Sequence, residues 1–377
     1  MRSVYVGGLG LHPFGRFPDR SLTELGAHAV RAALTEAGVG RGEFQAAYCG
    51  SVYGGVAVGH KILTRLGLSG TAIVNLEAGC ASGGAALAIA HGQVAAGIHD
   101  TVLVLGVEKM PRGIIRSTFF DPWREAAGLA ATPAYFALRA QRLLLDGDVT
   151  LEDLARVSVK NHDYGVHNPY AMYRTSMPLE EILASPIVCE PLRLLMLCAP
   201  NEGAAALVLT ARPGPGRVRI AAAELRSHLA GSVLGEHTPL SGIGDDVVPP
   251  PTTLAARAAF EHAAIGPADV DVAEVQDTDA ARELLSLEEL GLVTAGTSGA
   301  WIRTGGGGPQ ARLRVNVSGG LLSKGEPLGA SALGQVVELV WQLRGTAGPR
   351  QVGGARWGLA HTVGRGANAC VVLLCRN

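Results

Sequence analysis

The sequence predicts an α/β protein with two similar βαβ-type halves, each containing a mainly parallel sheet with helices on its faces. Apolar, strand-like runs alternate with amphipathic helical segments in both halves of the chain. The order strand, glycine-rich turn, small-residue helix, strand occurs in the first half and again in the second. The length of 377 residues also favours two halves, because single hydrophobic cores rarely grow beyond about 250–300 residues.

The first half contains four predicted strands and two predicted helices. The strands are residues 4–10, 46–50, 72–76 and 101–106, and the helices are residues 22–37 and 82–96. The first helix has apolar residues at helical spacing and stops before Gly38, a residue type that often ends helices. Residues 1–110 are therefore assigned to the first part of the N-terminal half.

The alternation breaks between residues 111 and 202, which are richer in charge, aromatic residues and proline. This stretch is predicted to be a mostly helical insert, after which residues 203–212 supply the last strand of the N-terminal half. A Pro/Gly linker at 213–216 leads into the C-terminal half, residues 217–377. There the predicted strands are 218–225, 270–275, 315–320, 357–360 and 369–375, and the helices are 254–264 and 331–344. Two like halves usually place a site where they meet.

The composition excludes several classes of protein. Hydrophobic residues make up 47% and charged residues 17% of the chain, which is typical of a globular protein and not of a disordered one. The net charge of −1 gives no reason to expect nucleic acid or an anionic membrane as a partner. No run of about 20 residues stays apolar, and the N-terminus lacks the apolar core of a signal peptide. We therefore expect a cytoplasmic protein without membrane insertion.

Most of the cysteines should be structural. In the cytoplasm they should be reduced, and none of the six forms a CxxC pair, so no zinc site or other metal site is predicted. Most of them lie in apolar runs and are interpreted as small core residues.

Cys80 differs from the other cysteines. The segment NLEAGCASGG places it between a predicted strand and a predicted helix, with glycines on both sides. The positive end of a helix dipole favours the thiolate, and small neighbours leave room for a thioester. We therefore predict that Cys80 is a nucleophile. The alternative is a buried structural cysteine.

The loop NVSGGLLSKGEPLGAS is dense in glycine, which usually brings backbone close to a ligand. Gly319, Gly320 and Ser323 are accordingly predicted to bind substrate. Glu326 lies between a glycine and a proline, where a turn would display its side chain as a catalytic group. The alternative interpretation of Glu326 is a solvated surface acid.

Two further segments place polar residues at strand ends, a common position for catalytic groups in such sheets. In EVQDTDA these are Gln276, Asp277 and Asp279, and for the two aspartates helix capping is the favoured interpretation. In HTVGRG, His361 is a candidate general base or acid, with a structural histidine as the alternative. Gly364 in the same segment is a candidate substrate-binding residue.

Together these segments resemble the thiolase superfamily, and most closely its sterol-carrier-protein or lipid-transfer thiolase branch. The resemblance covers nearly the whole chain and is carried by AGCASGGAALAIAHGQVAAG, ASPIVCEPLRLLMLCAPNEGAAALVLT, LLSLEELGL and NVSGGLLSKGEPLGASALGQVVELVWQLRG. It implies a five-layer αβαβα thiolase fold, a tight homodimer and an inserted region over the active site. It also implies CoA or carrier-protein thioesters as substrates, with no metal or other cofactor, and Cys80 as the residue that accepts the acyl group.

The chain departs from the family at the groups that assist the nucleophile. Glu326 replaces the histidine of a Gly-His-Pro segment, and Gln276-Asp277 replaces a His-Asp pair. The other departures are Thr278 in place of a cysteine, Asp279 in place of an aromatic residue, and Thr362 in place of the asparagine after His361. A carboxylate can take a proton from a thiol but cannot donate to an oxyanion unless it is protonated. In a dry pocket the pKa of Glu326 should rise, which would suit a general acid–base.

The sequence therefore predicts a bacterial acyltransferase of lipid or specialised metabolism, working through an acyl-Cys80 thioester in C–C bond making, C–C bond breaking or transfer to another acceptor. Two alternatives stay open: a retro-aldol lyase of steroid side-chain type that needs an OB-fold partner but not Cys80, and a non-catalytic scaffold. The resemblance also implies a zinc-ribbon OB-fold partner, and a homodimer interface is expected at the strand near 102–105. The candidate contacts to CoA phosphates are Arg112, Arg116, Arg124, Arg139 and Arg142, with a solvated helical face as the equally good alternative.

Overall fold

A computed structural model describes residues 2–115, 122–128, 131–213, 215–229, 248–364 and 368–376. Within them the strands are β1 (Val4–Gly15), β2 (Ala46–Gly50), β3 (Ala72–Leu76), β4 (Thr101–Lys109), β5 (Ile187–Cys189), β6 (Leu192–Arg193), β7 (Glu202–Thr210), β8 (Val218–Ser227), β9 (Val272–Glu274), β10 (Arg314–Val315), β11 (Trp357–Val363) and β12 (Asn368–Arg376). The α-helices are α1 (Leu22–Ala37), α2 (Val58–Arg65), α3 (Ser82–Ala95), α4 (Pro122–Ala126), α5 (Thr132–Asp146), α6 (Leu151–Gly165), α7 (Leu179–Ala184), α8 (Pro251–Ala263), α9 (Ala280–Glu289), α10 (Ser298–Arg303), α11 (Gly320–Lys324) and α12 (Leu328–Arg344). Arg116 and the side chain of Arg124 lie outside the described residues.

The first helix shows how local sequence sets the limits of an element. Ser21 caps α1 by accepting a hydrogen bond from the Glu24 amide, and the Glu24 side chain bonds back to the Ser21 backbone. Gly38 ends the helix in the left-handed conformation, with φ of 64°, which glycine adopts without steric cost. The buried face, including Leu25 and Val30, packs on β1. The predicted and observed bounds of this helix therefore coincide.

Ten strands form one sheet in the order β10-β9-β11-β12-β8-β1-β7-β4-β2-β3. It consists of two five-stranded groups joined through two residue pairs between β1 and β8. When the strands are numbered within their own half, both groups have the order 3-2-4-5-1, and parallel and antiparallel pairings fall at corresponding places. The prediction of two similar halves is confirmed.

The prediction of a mainly parallel sheet is wrong, because each half combines parallel and antiparallel pairings. β2 pairs in parallel with β3 and β4, but β7 is antiparallel to both β4 and β1. In the second half β11 and β12 are close in sequence, and a short connection joins antiparallel neighbours. In the first half the insert occupies the corresponding connection, between β4 and β7. β7 is nevertheless antiparallel to β4, just as β12 is antiparallel to β11.

The two groups of strands enclose a central layer of two helices. α3 packs on β2 and β4 of the first half and on β8 and β12 of the second, and α12 contacts β4, β7, β9 and β11. α1 and α2 cover the outer face of the first half, whereas α8 covers the second, with Leu287 of α9 in the same apolar cluster. The predicted five-layer αβαβα arrangement is confirmed.

The central layer lies so close to β4 that backbone touches backbone. A Cβ at Gly106 would lie 2.2 Å from the carbonyl oxygen of Gly329 in α12. Gly106→Ala should therefore lower the free energy of unfolding by about 1–3 kcal/mol, the usual cost of overpacking. Gly92→Ala in α3 is the control, since a Cβ there meets nothing within 4 Å and should stabilise the helix by up to about 1 kcal/mol. Equal urea midpoints for the two variants would contradict this packing.

The insert packs on the second half and covers the space where the two halves meet. It contributes α4 to α7 and the hairpin β5–β6, and its apolar cluster includes Leu154, Ile182 and Met196. The same cluster contains Ala281 and Leu284 of α9, so the insert is anchored to the second half. Among the helices in the described ranges, none is both long and apolar enough to cross a membrane.

The interface strand predicted near residues 102–105 is wrong. These residues belong to β4, which is hydrogen-bonded on one side to β2 and on the other to β7. An inner strand has no free backbone groups to offer a second copy. The edge of the first half is β3, which pairs with β2 on one side and has Val74 39% exposed.

Candidate active site

Cys80 lies at the entrance to the central helix α3. β3 ends at Leu76, and one 3-10 turn, Gly79–Ala81, leads into α3. Gly79 is left-handed, with φ of 58°. The Ser82 hydroxyl closes this turn by donating to the Gly79 carbonyl at 2.6 Å and accepting from the Ala78 amide at 2.9 Å. Cys80 is therefore held, 8% exposed, at the positive end of the helix dipole.

Glu326 reaches the same place from the second half. It follows Gly325, which has φ of 82° and no room for a side chain, since a Cβ would come within 2.0 Å of the Asn201 amide nitrogen. The Glu326 amide donates to the Ala199 carbonyl at 2.9 Å, which ties its backbone to the segment before β7. Glu326 is buried and is not the solvated acid of the alternative interpretation.

Three side chains converge on the Glu326 carboxylate. Gln276 Nε2 donates to Oε1 at 2.8 Å, and Cys198 Sγ donates to Oε2 at 3.3 Å. The Cys80 thiol is a third hydrogen-bond partner of the same carboxylate. The structure thus brings the predicted nucleophile and the predicted acid–base group together, and it adds a second thiol.

Burial dominates the electrostatics of this cluster. It raises the pKa of Glu326 above its ordinary value, while the hydrogen bonds from Cys80, Cys198 and Gln276 act in the opposite direction. Burial and the nearby Glu326 charge raise the pKa of Cys198 well above that of a free thiol. Cys198 therefore rests as a thiol that donates its hydrogen to Glu326.

Cys198 is a site residue that the sequence analysis missed. Its apolar run, LMLCAP, predicts a core cysteine, but the residue is only partly buried and lines the cavity beside Cys80. The Cys198 amide donates to the Thr278 carbonyl at 2.9 Å, and Pro200 forms a bridge with Glu326. The proline two residues after the cysteine is the one local signal that places Cys198 outside β7.

Gln276 and His361 are neighbours, but only Gln276 contacts the cluster. Both are completely buried, and Gln276 Oε1 has no hydrogen-bond partner among the described residues. His361 Nδ1 faces the Gln276 amide at 3.5 Å, and Nε2 lies 3.1 Å from the Thr252 hydroxyl. Burial lowers the pKa of His361 well below its ordinary value, so the ring is neutral. It does not line the cavity, a placement that fits the structural alternative better than a general base.

Asp277 joins three parts of the chain. It accepts hydrogen bonds from the Leu321 amide at 2.7 Å, the Leu322 amide at 3.2 Å and Asn161 Nδ2 at 2.9 Å. Burial and the nearby Glu283 raise the pKa of Asp277 well above its ordinary value. The side chain caps α11 and not the helix that starts at Ala280, for which capping was predicted, and it fixes the start of the loop that carries Glu326.

Three residues predicted to bind substrate pack against protein instead. A Cβ at Gly320 would lie 2.0 Å from Asp277 Oδ2, and at Gly319 it would lie within 3 Å of the backbone of α6. The Ser323 hydroxyl donates to the Tyr173 carbonyl at 2.6 Å. The glycine-dense loop therefore allows close approach of the insert, and none of these three residues lines the cavity.

A cavity of about 1490 Å³ lies between the two halves and the insert. Cys80, Cys198, Glu326 and Gly364 line it. Its apolar wall comes largely from the insert and includes Ile114, Ile115, Phe136, Leu138, Leu143, Leu194, Leu195 and Leu197. At Gly364 a Cβ would lie 2.5 Å from the Ala78 carbonyl oxygen, so glycine just after β11 permits close approach to the segment before Cys80. Such a cavity can hold an apolar group beside a thiol and a carboxylate.

Two arginines of the insert reach this cavity, and both are paired with acids. Arg139 of α5 lies 2.5 Å from the buried Asp279, and Arg142 forms an ion pair with Asp146. Asp279 also caps α9, as predicted. Arg112 is exposed and does not line the cavity. Asp279 thus serves to fasten the insert helix to the second half.

Known proteins match the chain over most of its length. The family model described as thiolase, N-terminal domain, matches residues 10–212, and the model described as thiolase C-terminal domain-like matches residues 237–376. The chain is 34% identical to sterol carrier protein 2 of Gallus gallus, over 99% of this chain and 71% of that protein. It is 34% identical to an acetyl-CoA acetyltransferase of Methanothermobacter thermautotrophicus over 100% of both chains. Among solved structures, an Ltp2-ChsH2(DUF35) aldolase shares the fold with a TM-score of 0.84 and 22% identity, over 100% of this chain and 98% of that one.

Proposed function

Because the chain belongs to the thiolase family, we propose that it is an acyltransferase that takes an acyl group from a thioester onto Cys80 and passes it to an acceptor. The observation that carries this proposal is the hydrogen bond between the Cys80 thiol and the buried Glu326 carboxylate in one cavity. A thiol beside a proton acceptor, at a helix N-terminus, is the arrangement that nucleophilic catalysis requires.

Glu326 acts as the general base in this scheme. As the Cys80 sulfur attacks the carbonyl carbon of the thioester, its proton passes to the Glu326 carboxylate. The tetrahedral intermediate then breaks its bond to the leaving thiol, which takes that proton from Glu326. The products are an acyl-Cys80 thioester, a free thiol and the original carboxylate, so the step needs no outside proton donor.

The raised pKa of Glu326 suits both directions of this proton transfer. A carboxyl group with a higher pKa is a stronger base when ionised, and it keeps the proton long enough to return it to the leaving thiol. Gln276 holds the carboxylate in place through its 2.8 Å hydrogen bond. This arrangement replaces the two histidines that the family resemblance leads one to expect.

The donor and the protein partners belong to the same proposal. CoA or a carrier protein enters as the thiol part of the substrate and not as a resident cofactor. A second copy of the chain would pair along the edge strand β3. An OB-fold partner is also proposed, because the structurally similar Ltp2-ChsH2(DUF35) aldolase is named for two proteins.

Intact-protein mass spectrometry tests the proposed function. The protein is incubated with acetyl-, propionyl- and butanoyl-CoA and compared with Cys80→Ala. Cys189→Ala is the matched control, because Cys189 lies in the insert hairpin and does not line the cavity. We expect a mass gain equal to the acyl group in the wild type and the control, and none in Cys80→Ala.

Other outcomes would overturn the proposal in distinct ways. A gain that persists in Cys80→Ala would place the acyl group on another residue. No gain with any donor, with and without a candidate OB-fold protein, would favour a retro-aldol lyase in which Cys80 is dispensable or a non-catalytic scaffold.

A further inference from the structure

We propose that Arg139 is a positioning residue of this site: its ion pair with Asp279 holds helix α5 over the cavity and neutralises a buried negative charge beside the Glu326 base. The inference rests on the proposed function, because it concerns the group that takes the Cys80 proton. It gives a chemical task to an ion pair that the fold needs only to fasten the insert.

The first observation is that Asp279 is a completely buried acid with one cation bound to it. Arg139 Nη2 lies 2.5 Å from Asp279 Oδ2, and among the described residues no other lysine or arginine side chain forms an ion pair with this carboxylate. Its remaining hydrogen bonds come from neutral donors, the Thr278 hydroxyl at 3.1 Å and the Arg282 amide at 2.9 Å. Without Arg139 the Asp279 charge would be buried and unpaired, which is unfavourable in a protein interior.

The second observation is that Asp279 and Glu326 flank the same short segment of the chain. Leu197 pairs with Asp279 in an isolated β-bridge, and Pro200 pairs with Glu326 in another. The Glu326 amide also donates to the Ala199 carbonyl at 2.9 Å. Two acids thus approach the site from different parts of the second half, and the Asp279 charge disfavours the ionised form of Glu326 and so raises its pKa.

Both acids are departures from the resembled family, in which an aromatic residue stands at position 279 and a histidine at position 326. An aromatic ring beside a histidine needs no cation, whereas two buried carboxylates near each other do. Arg139 supplies that cation from helix α5 of the insert. The arginine therefore compensates for the two acidic replacements and allows Glu326 to ionise and act as a base.

The other charged groups around Glu326 have partners of their own. The Cys80 and Cys198 thiols and the Gln276 amide, which face the carboxylate directly, are uncharged donors. The Asp279 charge is therefore the one that Arg139 must balance. The ionisable groups of the surrounding elements are Glu77, Asp277, Glu288, the neutral rings of His162 and His361, and the ion pairs Arg282–Glu289, Lys324–Glu274, Lys160–Glu283 and Arg142–Asp146.

The test is the pH dependence of Cys80 acylation, measured as the growth of the acyl-enzyme mass after mixing with acetyl-CoA. Arg139→Gln leaves the Asp279 charge uncompensated, so Glu326 should need a higher pH to ionise. Because only ionised Glu326 accepts the Cys80 proton, the acid limb of the rate should move upward by about one pH unit. Asp279→Asn removes the negative charge and should move the limb downward. The double variant, Arg139→Gln with Asp279→Asn, removes both charges and should return the limb close to its wild-type position.

Arg156→Gln is the matched control. Arg156 also pairs with an acid, Glu152, but its side chain is 42% exposed and does not line the cavity, so the acid limb should stay in place. The thermal midpoint of each variant shows whether it is folded. If Arg139→Gln does not fold because it leaves a buried charge, Asp279→Asn and the double variant still decide. The limb of the double variant should then lie above that of Asp279→Asn, because only the single variant keeps the positive charge near Glu326.

Two results would overturn the inference and leave the proposed function standing. An acid limb at the wild-type pH in all three variants would show that the Asp279 and Arg139 charges do not act on Glu326. A loss of rate that is equal at every pH and is not reversed in the double variant would make the ion pair a mechanical fastening only. A wild type that is never acylated would remove the proposed function and this inference with it.

Discussion

Glu326→Gln should slow acylation of Cys80 by about 10²–10⁴-fold, the contribution of a positioned general base. Glutamine has nearly the same shape as glutamate and can still bond to Gln276 or Cys198, but it cannot accept the Cys80 proton. Because burial raises the pKa of Glu326 by penalising the charged form, a neutral amide should leave the fold equally stable or more stable. Loss of rate without loss of stability is the expected signature.

The rate is measured as the growth of the acyl-enzyme mass after mixing with acetyl-CoA, and stability as the thermal midpoint. Glu152→Gln serves as the control, since Glu152 is an exposed carboxylate of α6 outside the cavity, and it should stay within about twofold of wild type. An unchanged acylation rate in Glu326→Gln would show that another group accepts the proton.

The same carboxylate should set the acid limit of activity. Only the ionised form of Glu326 can accept the Cys80 proton, so the rate should fall as the pH drops through its pKa. Because that pKa is raised, the fall should begin above the ordinary glutamate value of about 4.3. In Glu326→Gln the residual rate should lose this acid limb.

Asp277→Ala should lower the free energy of unfolding by about 3–5 kcal/mol, because it removes an acceptor shared by three buried donors. The substitution leaves the Leu321 amide, the Leu322 amide and Asn161 Nδ2 without the acceptor they share. Each buried donor left unpaired costs about 1–3 kcal/mol. The cap of α11 and the loop before Glu326 should both loosen, so acylation should fall as well.

Urea unfolding of Asp277→Ala and of Asp277→Asn measures this cost. Asparagine keeps one acceptor oxygen and should lose less stability than alanine. Asp163→Ala on the exposed side of α6 is the control and should change stability by less than about 1 kcal/mol. An unchanged urea midpoint in Asp277→Ala would show that the hydrogen bonds of Asp277 to α11 and Asn161 do not stabilise the fold.

The fold could be predicted where the signals are local. Helical spacing, a capping residue and a terminal glycine define α1, and a short, mostly apolar segment defines β3. The direction of β7 could not be predicted, because it is set by pairing with β1 and β4, which are distant in sequence, and not by a local signal. The two-residue strand β10 was also beyond local signals, since it exists only through its pairing with β9.

The residues of the candidate site could likewise be predicted only where their signals are local in the sequence. Cys80 could be identified because its strand, turn and helix are adjacent in sequence. Cys198 and Glu326 are 128 positions apart in the sequence and meet only in the folded chain. The apolar run around Cys198 therefore gave no sign of its place in the site. His361 has the side chain of a general base, but it is buried between Thr252 and the Gln276 amide, and neither neighbour is visible in its local sequence.

The repeat of the strand order 3-2-4-5-1 bears on how the reaction centre arose. Cys80 stands two residues before the start of α3, and Glu326 stands two residues before the start of α12. Since α3 and α12 occupy the same place in their halves, the nucleophile and the base occupy equivalent positions. This is the pattern expected of an internal gene duplication in which one ancestral turn diverged into two chemistries. In the proposed mechanism each copy supplies one member of a complementary pair, so neither half would catalyse acyl transfer without the other.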